Sequence, residues 1–77
     1  MQRKQQFHDT AYVLHCRPYR NTSLIADIFT HEHGRINVIA RGARRGKHPL
    51  ATILQPFTPL LIQWGGSSEL MTLYKAE

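Results

Sequence analysis

A cluster of basic side chains separated by glycines is the part of this sequence best suited to chemistry. Of the ten Lys and Arg residues in the 77-residue chain, four lie between Ala40 and Pro49. They are Arg41, Arg44, Arg45 and Lys47. Glycine lets a backbone bend without a Cβ clash, and each cation can neutralise a phosphate and release its counterion. The pattern predicts a loop that binds a polyanion, and nucleic acid is the expected partner.

The size and composition of the chain restrict the classes of protein to which it can belong. A length of 77 residues allows one small domain, and 42% hydrophobic residues with a formal charge of +5 favour a folded core over a disordered chain. The single cysteine, Cys16, cannot form an intrachain disulfide, and no apolar run follows the charged first residues as a secretory signal requires. No apolar stretch reaches the roughly 20 residues that cross a bilayer. We expect a cytoplasmic protein without membrane contact.

Short β-strands separated by turn signals are predicted along the chain. The alternation of β-favouring residues places them at about residues 11–17, 23–30, 35–41, 57–64 and 69–75. The second and third strands are joined by His31-Glu32-His33-Gly34, in which Gly34 can take the positive φ that closes a hairpin. Pro18 is expected to stop or bend the first strand, and Pro59 to mark an edge or a bulge.

The domain boundaries follow from this pattern. Residues 1–8 are predicted to be a flexible N-terminal segment and residues 9–77 to be the folded domain, with a short helical turn at about residues 50–55. Five short strands, a long connection after the third and a basic outer face predict an all-β, five-stranded antiparallel barrel of the OB type. Closure removes the free edges that an open sheet would expose. An SH3-like barrel is the structural alternative.

Several short motifs occur in an order and spacing typical of one protein family. They are Thr22-Ser23-Leu24, Phe29-Thr30, Gly34-Arg35, Ile39-Ala40-Arg41-Gly42-Ala43-Arg44 and Leu54-Gln55-Pro56-Phe57-Thr58-Pro59-Leu60. Together they cover most of the chain and resemble the N-terminal domain of the bacterial RecO family of DNA repair proteins. The resemblance implies an OB-fold domain that binds single- and double-stranded DNA without sequence specificity, supports strand annealing and helps load the RecA recombinase.

The resemblance also implies partners and a longer protein. RecR and single-stranded DNA-binding protein are the implied protein partners. Members of the family continue into a larger helical domain, so the chain is expected to be the N-terminal part of a longer protein. The partner contacts of that helical part cannot be assigned to residues of this chain.

The basic strand and loop lie where the family's DNA-binding face is expected. The candidate DNA-binding residues are Arg35, Arg41, Arg44, Arg45, Lys47, Arg17, Arg20 and Tyr19. Tyr19 is the aromatic residue best placed to stack a base beside cations, whereas Trp64 and the other large aromatic residues are expected to pack in the core. Asp27 is expected to form a structural pair with Arg35, as short basic strands commonly do with nearby acids.

Neither catalysis nor a cofactor is predicted. The five acidic residues are spread along the chain without a paired-carboxylate motif, and no catalytic triad pattern occurs. His31 and His33 lack the spacing of a zinc site and are interpreted as turn residues, while Cys16 is expected to be a small core residue. Two other functions stay open: a protein-interaction module whose basic face meets an acidic partner such as RecR, and an RNA-binding OB domain of the translation machinery.

Overall fold

The computed structural model describes residues 5–44, 54–66 and 70–77, which form five β-strands. These are β1 (Gln5–Tyr19), β2 (Ser23–Thr30), β3 (Gly34–Ala40), β4 (Pro59–Gly66) and β5 (Met71–Ala76). The strands are hydrogen-bonded in the order β1-β2-β3-β5-β4, and β4 pairs with β1, so the sheet closes into a barrel. The predicted all-β barrel of the OB type is confirmed.

One pair of neighbouring strands is parallel, which corrects the prediction of an antiparallel barrel. In the pairing of β3 with β5, Val38 is opposite Met71 and Ile39 is opposite Thr72, whereas the other neighbouring strands are antiparallel. A closed ring with an odd number of strands cannot alternate in direction all the way round. The parallel contact is therefore a consequence of closure itself.

The 15-residue strand β1 belongs to both halves of the barrel. It pairs with β4 through residues 5–12 and with β2 through residues 11–19. Its register shifts between Val13 and His15, where an irregularity typical of a β-bulge occurs. A bulge bends a strand and increases its twist, so it allows β1 to turn from one neighbour to the other.

Both ends of β1 lie beyond the range that the sequence predicted. The strand begins at Gln5, so residues 5–8, which the sequence placed outside the folded domain, are paired with β4. It also continues through Pro18, which lies opposite Leu24 of β2 and does not end the strand. Pro18 lies outside the residues that pair with β4, and a proline lacking its N–H is tolerated where a strand has an open side.

The hairpin of β2 and β3 has the predicted form. β2 occupies the predicted residues 23–30, and His31 and His33 lie in the turn that follows. Gly34 begins β3 with a φ of 69°, in the left-handed region. The buried Thr30 hydroxyl accepts a hydrogen bond from the His33 N–H and donates to the Gly34 carbonyl, both at 2.8 Å.

Trp64 is buried in the core, as predicted. Its side chain is 1% exposed, and its ring centroid is 5.5 Å from that of Phe7 and 5.2 Å from that of His33. The other fully buried large side chains are those of Val13, Ile28, Val38 and Ile62. The other large aromatic residues were also predicted to pack in the core. This prediction is wrong for four of them, which are 45% to 72% exposed: Tyr12, Phe29, Phe57 and Tyr74.

The segments flanking β4 and β5 differ in detail from the sequence prediction. Pro59 is the first residue of β4, a position where proline is tolerated, and β5 begins at Met71. Most of the predicted helical turn lies outside the described residues, while Leu54 and Gln55 have no regular secondary structure.

Cys16 is half-buried against the core as expected, and burial raises the pKa of its thiol. Within the described ranges, no helix has the length and apolar content needed to span a membrane.

Asp9 connects β1 to the hairpin turn. Its Oδ2 accepts a hydrogen bond from the Glu32 N–H at 2.7 Å and lies 3.2 Å from His33 Nδ1, while its Oδ1 accepts from the Thr10 N–H at 2.8 Å. The hydrogen bond from Glu32 is the main cause that lowers the pKa of Asp9 below its usual value of 3.8. The ionised carboxylate is thus favoured by folding.

We expect this carboxylate to make the barrel sensitive to acid. A group whose pKa is lowered in the folded state adds stability above its unfolded-state pKa, and this stability is lost as the pH falls through the folded-state value. Asp9→Asn should therefore melt at a lower temperature than the parent at neutral pH and lose fewer degrees between about pH 5 and pH 2. Thermal unfolding followed by circular dichroism measures the melting temperature at neutral pH and its decrease in acid. An equal decrease in parent and variant would contradict the role assigned to the Asp9 carboxylate.

Candidate nucleic-acid interface

Two turns lie side by side at the end of the barrel where β1 and β3 finish. Residues 20–22 connect β1 to β2, and residues 41–44 leave β3. The Arg44 N–H donates to the Thr22 carbonyl at 2.8 Å, and Arg44 Nη1 donates to the Arg20 carbonyl at 3.1 Å. These bonds hold Arg20 and Arg44 close together although they are 24 positions apart in the sequence.

The local backbone explains why the arginines of the second turn point outward. Gly42 adopts a φ of 70°, which a residue with a Cβ rarely takes. The turn then places Ala43 in the core with no exposed surface, and its N–H donates to the Ala40 carbonyl at 3.4 Å. Arg41 and Arg44, on either side of this buried segment, are exposed.

Tyr19 and Arg20 contact each other at the same end of the barrel. The Arg20 guanidinium carbon lies 5.2 Å from the centre of the Tyr19 ring, within the range of a cation–π interaction. Arg17 is exposed and lies two residues before Tyr19 on β1, so the two side chains are on the same face of the strand. This face is the outward one, because Pro18 between them is opposite Leu24, which packs against the core. We refer to Tyr19, Arg20, Arg41 and Arg44 as the basic end.

Arg35 lies elsewhere on the outer surface and forms a salt bridge with Asp27. Its Nε donates to Oδ1 and Oδ2 of Asp27 at 2.9 and 3.1 Å, and its Nη2 donates to Oδ2 as well. The predicted pair is therefore present, although Asp27 faces outward rather than into the barrel. The hydrogen bond from Arg35 lowers the pKa of Asp27, and the same contact raises the pKa of Arg35. A phosphate would have to displace this carboxylate before Arg35 could bind it in the same way.

The structure brings part of the predicted site together. Arg20, Arg41, Arg44 and Tyr19 share the basic end, and Arg17 lies on the strand that leads into it. Arg35 is opposite Phe29, near the other end of β2. Arg45 and Lys47 fall outside the described residues, so their predicted role stays a prediction.

Sequence reasoning missed two exposed aromatic residues. Tyr12 and Phe29 are directly opposite each other on β1 and β2, with side chains 51% and 53% exposed. Their rings line a groove of about 520 Å³, and Pro59 of β4, opposite Tyr12, also lines it. The signal was present in the sequence, because Tyr12 alternates with Ala11 and Val13 and must face outward once those two are buried.

His33 takes part in structural contacts. The ring centroid of His33 lies 5.1 Å from that of Phe7, and its Nδ1 lies 3.2 Å from Oδ2 of Asp9. Among residues 5–44, 54–66 and 70–77, no group of three or more His, Cys, Asp or Glu side chains is arranged to hold a metal ion.

The fold and its surface define a class: a small OB-type barrel with exposed arginines concentrated at one end. The comparison with known protein families specifies which barrel of this class it is. The family described as "Recombination protein O N terminal" matches residues 1–77, and the chain belongs to this family.

Curated relatives agree with the family assignment. Proteins named "DNA repair protein RecO" from Actinobacillus pleuropneumoniae serotype 7 and Methylococcus capsulatus are 59% and 58% identical over 66 and 69 residues, which cover 86% and 90% of this chain. A protein of the same name from Nitrosospira multiformis is 52% identical over 75 residues, or 97% of the chain. The chain spans 28% to 31% of the length of these relatives.

Proposed function

We propose that this chain is a DNA-binding domain of a repair protein and that it binds single- and double-stranded DNA without reading their sequence. The observation that carries the proposal is the convergence of Arg20, Arg41, Arg44 and Tyr19 at one end of an OB-type barrel. It is supported by the family to which the chain belongs and by the name of its relatives. The domain would act by binding rather than by catalysis.

The charge of the basic end is available to an anion. Among the described residues, the ion pairs are His33–Asp9, Arg35–Asp27 and Lys75–Glu77, and none of them involves the basic end. The Arg44 guanidinium is held by a neutral carbonyl, which orients it without cancelling its charge. Cations placed in this way can follow a phosphate backbone of any sequence, as strand annealing requires.

The role of the longer protein extends this proposal. A domain that binds either strand type can keep complementary strands close together, which would support annealing and the loading of the RecA recombinase. RecR and single-stranded DNA-binding protein are the proposed protein partners, and the support for them is the family alone.

Competition and salt titration test the proposal. Labelled single-stranded DNA, matched RNA and an acidic peptide are each titrated with the 77-residue chain, and binding is followed by fluorescence anisotropy. We expect DNA to bind at least as tightly as RNA and more tightly than the peptide. If Arg17 and the three arginines of the basic end contact phosphates of a single strand, the logarithm of the affinity for single-stranded DNA should fall with the logarithm of salt concentration with a slope of about −3. A nearly flat response would refute the electrostatic mechanism, and a stronger preference for RNA or for the peptide would identify a different module.

A further inference from the structure

We propose that the groove between Tyr12 and Phe29 binds unpaired bases, so that the barrel holds single-stranded DNA more tightly than duplex DNA of the same length. The inference rests on the proposed function and adds a second contact region, distinct from the basic end. It assigns the two regions different chemistry, because the arginines bind phosphates and the aromatic groove binds bases.

The geometry of the groove suits a planar ring. Tyr12 and Phe29 are directly opposite each other in the antiparallel ladder, and each keeps about half of its side-chain surface exposed. Side chains at such positions are close enough to present a continuous surface. His31 adds a third aromatic ring to the groove, and Pro59 adds an apolar ring on the β4 side. Stacking on aromatic rings tolerates any base, because every base has a π face.

The charge near the groove favours bases over phosphates as its ligand. The cation next to it across the sheet is Arg35, which is opposite Phe29 and bound through two nitrogens to Asp27. This guanidinium is therefore largely neutralised by its carboxylate. The groove offers apolar ring surface where the basic end offers free charge.

The two regions lie on one continuous face of the barrel. Tyr12 is seven residues before Tyr19 on β1, a distance of about 20 Å along a strand with one bulge. His15 and Arg17 are exposed between them. OB folds bind about 4–16 nucleotides, so one short strand could place its phosphates at the basic end and its bases in the groove.

Duplex DNA could use only one of these regions. Its bases are paired and stacked inside the helix, and exposing one costs a few kcal/mol. Its phosphates stay accessible to arginine side chains. The predicted preference for single strands therefore comes from the groove and should disappear when either the rings or the bases are removed.

The experiment compares three ligands with the parent chain and two variants. The ligands are an oligothymidylate of about 12 nucleotides, an abasic strand of the same length and a duplex of the same length. The test variant is Tyr12→Leu/Phe29→Leu, which keeps apolar volume but removes the rings. The control is Tyr74→Leu, because Tyr74 is 45% exposed on β5 and does not line the groove.

We expect the test variant to bind oligothymidylate at least about fivefold more weakly than the parent. Its binding of the abasic strand and of the duplex should stay within about twofold of the parent value, and Tyr74→Leu should resemble the parent with all three ligands. A ring-retaining variant, Tyr12→Phe/Phe29→Tyr, should bind oligothymidylate like the parent.

The outcomes separate this inference from the proposed function. If the parent binds the abasic strand as tightly as oligothymidylate, or if removing the rings leaves oligothymidylate binding unchanged, the base-stacking proposal is overturned while DNA binding by the basic end stands. The parent measurement decides the matter even if the leucine variant does not fold. If the parent binds none of the three ligands, the proposed function itself fails.

Discussion

Replacing Trp64 by alanine is expected to lower the free energy of unfolding by about 3–5 kcal/mol. The Trp64 side chain is 1% exposed and packs against Phe7 and His33, so its removal leaves a cavity in the core. Domains are generally stable by about 5–15 kcal/mol, and a small domain buries less surface than a large one. The variant should therefore lose most of its stability.

Urea unfolding followed by circular dichroism measures this effect. Tryptophan fluorescence cannot be used for the comparison, because Trp64 is the single tryptophan of the chain. The matched control is Tyr74→Ala, which removes a large aromatic side chain that is 45% exposed and should cost about 1 kcal/mol or less. A Trp64→Ala variant as stable as this control would mean that the barrel is not packed around Trp64.

The second large effect is expected at the basic end, where Arg20→Gln/Arg44→Gln should weaken DNA binding by about 100-fold at low salt. A hydrogen bond to a charged group contributes about 1.5–3 kcal/mol, which corresponds to about tenfold or more for each arginine. The salt slope for single strands should become less steep by about 0.7 for each arginine removed. The backbone hydrogen bond from the Arg44 N–H to the Thr22 carbonyl does not involve the side chain, so the variant at position 44 tests charge with little change to the turn.

A variant of a lysine distant from the basic end distinguishes the effect of local charge on DNA binding from the effect of net charge. Lys75 lies on β5 and is exposed, with its Nζ 3.9 Å from a carboxylate oxygen of Glu77. Lys75→Gln changes the net charge by the same amount as either single arginine variant. Fluorescence anisotropy should give an affinity within about twofold of the parent for Lys75→Gln and about tenfold weaker for each arginine variant. Equal losses in all three would indicate attraction by net charge alone.

Local patterns in the sequence were sufficient to predict the hairpin and much of the core. β2 lies at the predicted residues because β-favouring apolar side chains predominate there, and Gly34 supplies the positive φ at the end of the turn. Trp64 was expected inside and is inside. These features depend on neighbouring residues in the chain, whose periodicity can be read directly.

Features that depend on distant residues were predicted less well. The extent of β1 was underestimated because residues 5–8 become a strand by pairing with β4, which lies more than 50 positions away. The same reason applies to Asp9, whose carboxylate binds the Glu32 N–H across 23 positions. No local pattern signals a partner of this kind.

The candidate site shows the same difference between local features and features that depend on distant residues. From its sequence alone, this chain was predicted to be a basic β-barrel of the OB type, with arginines next to a glycine turn, because charge, alternation and turn residues are local properties. Tertiary structure alone decided that Arg20 and Arg44 converge and that Tyr12 and Phe29 form an exposed pair. Each of these depends on strand register and barrel closure, which set the distance between side chains that are far apart in the chain.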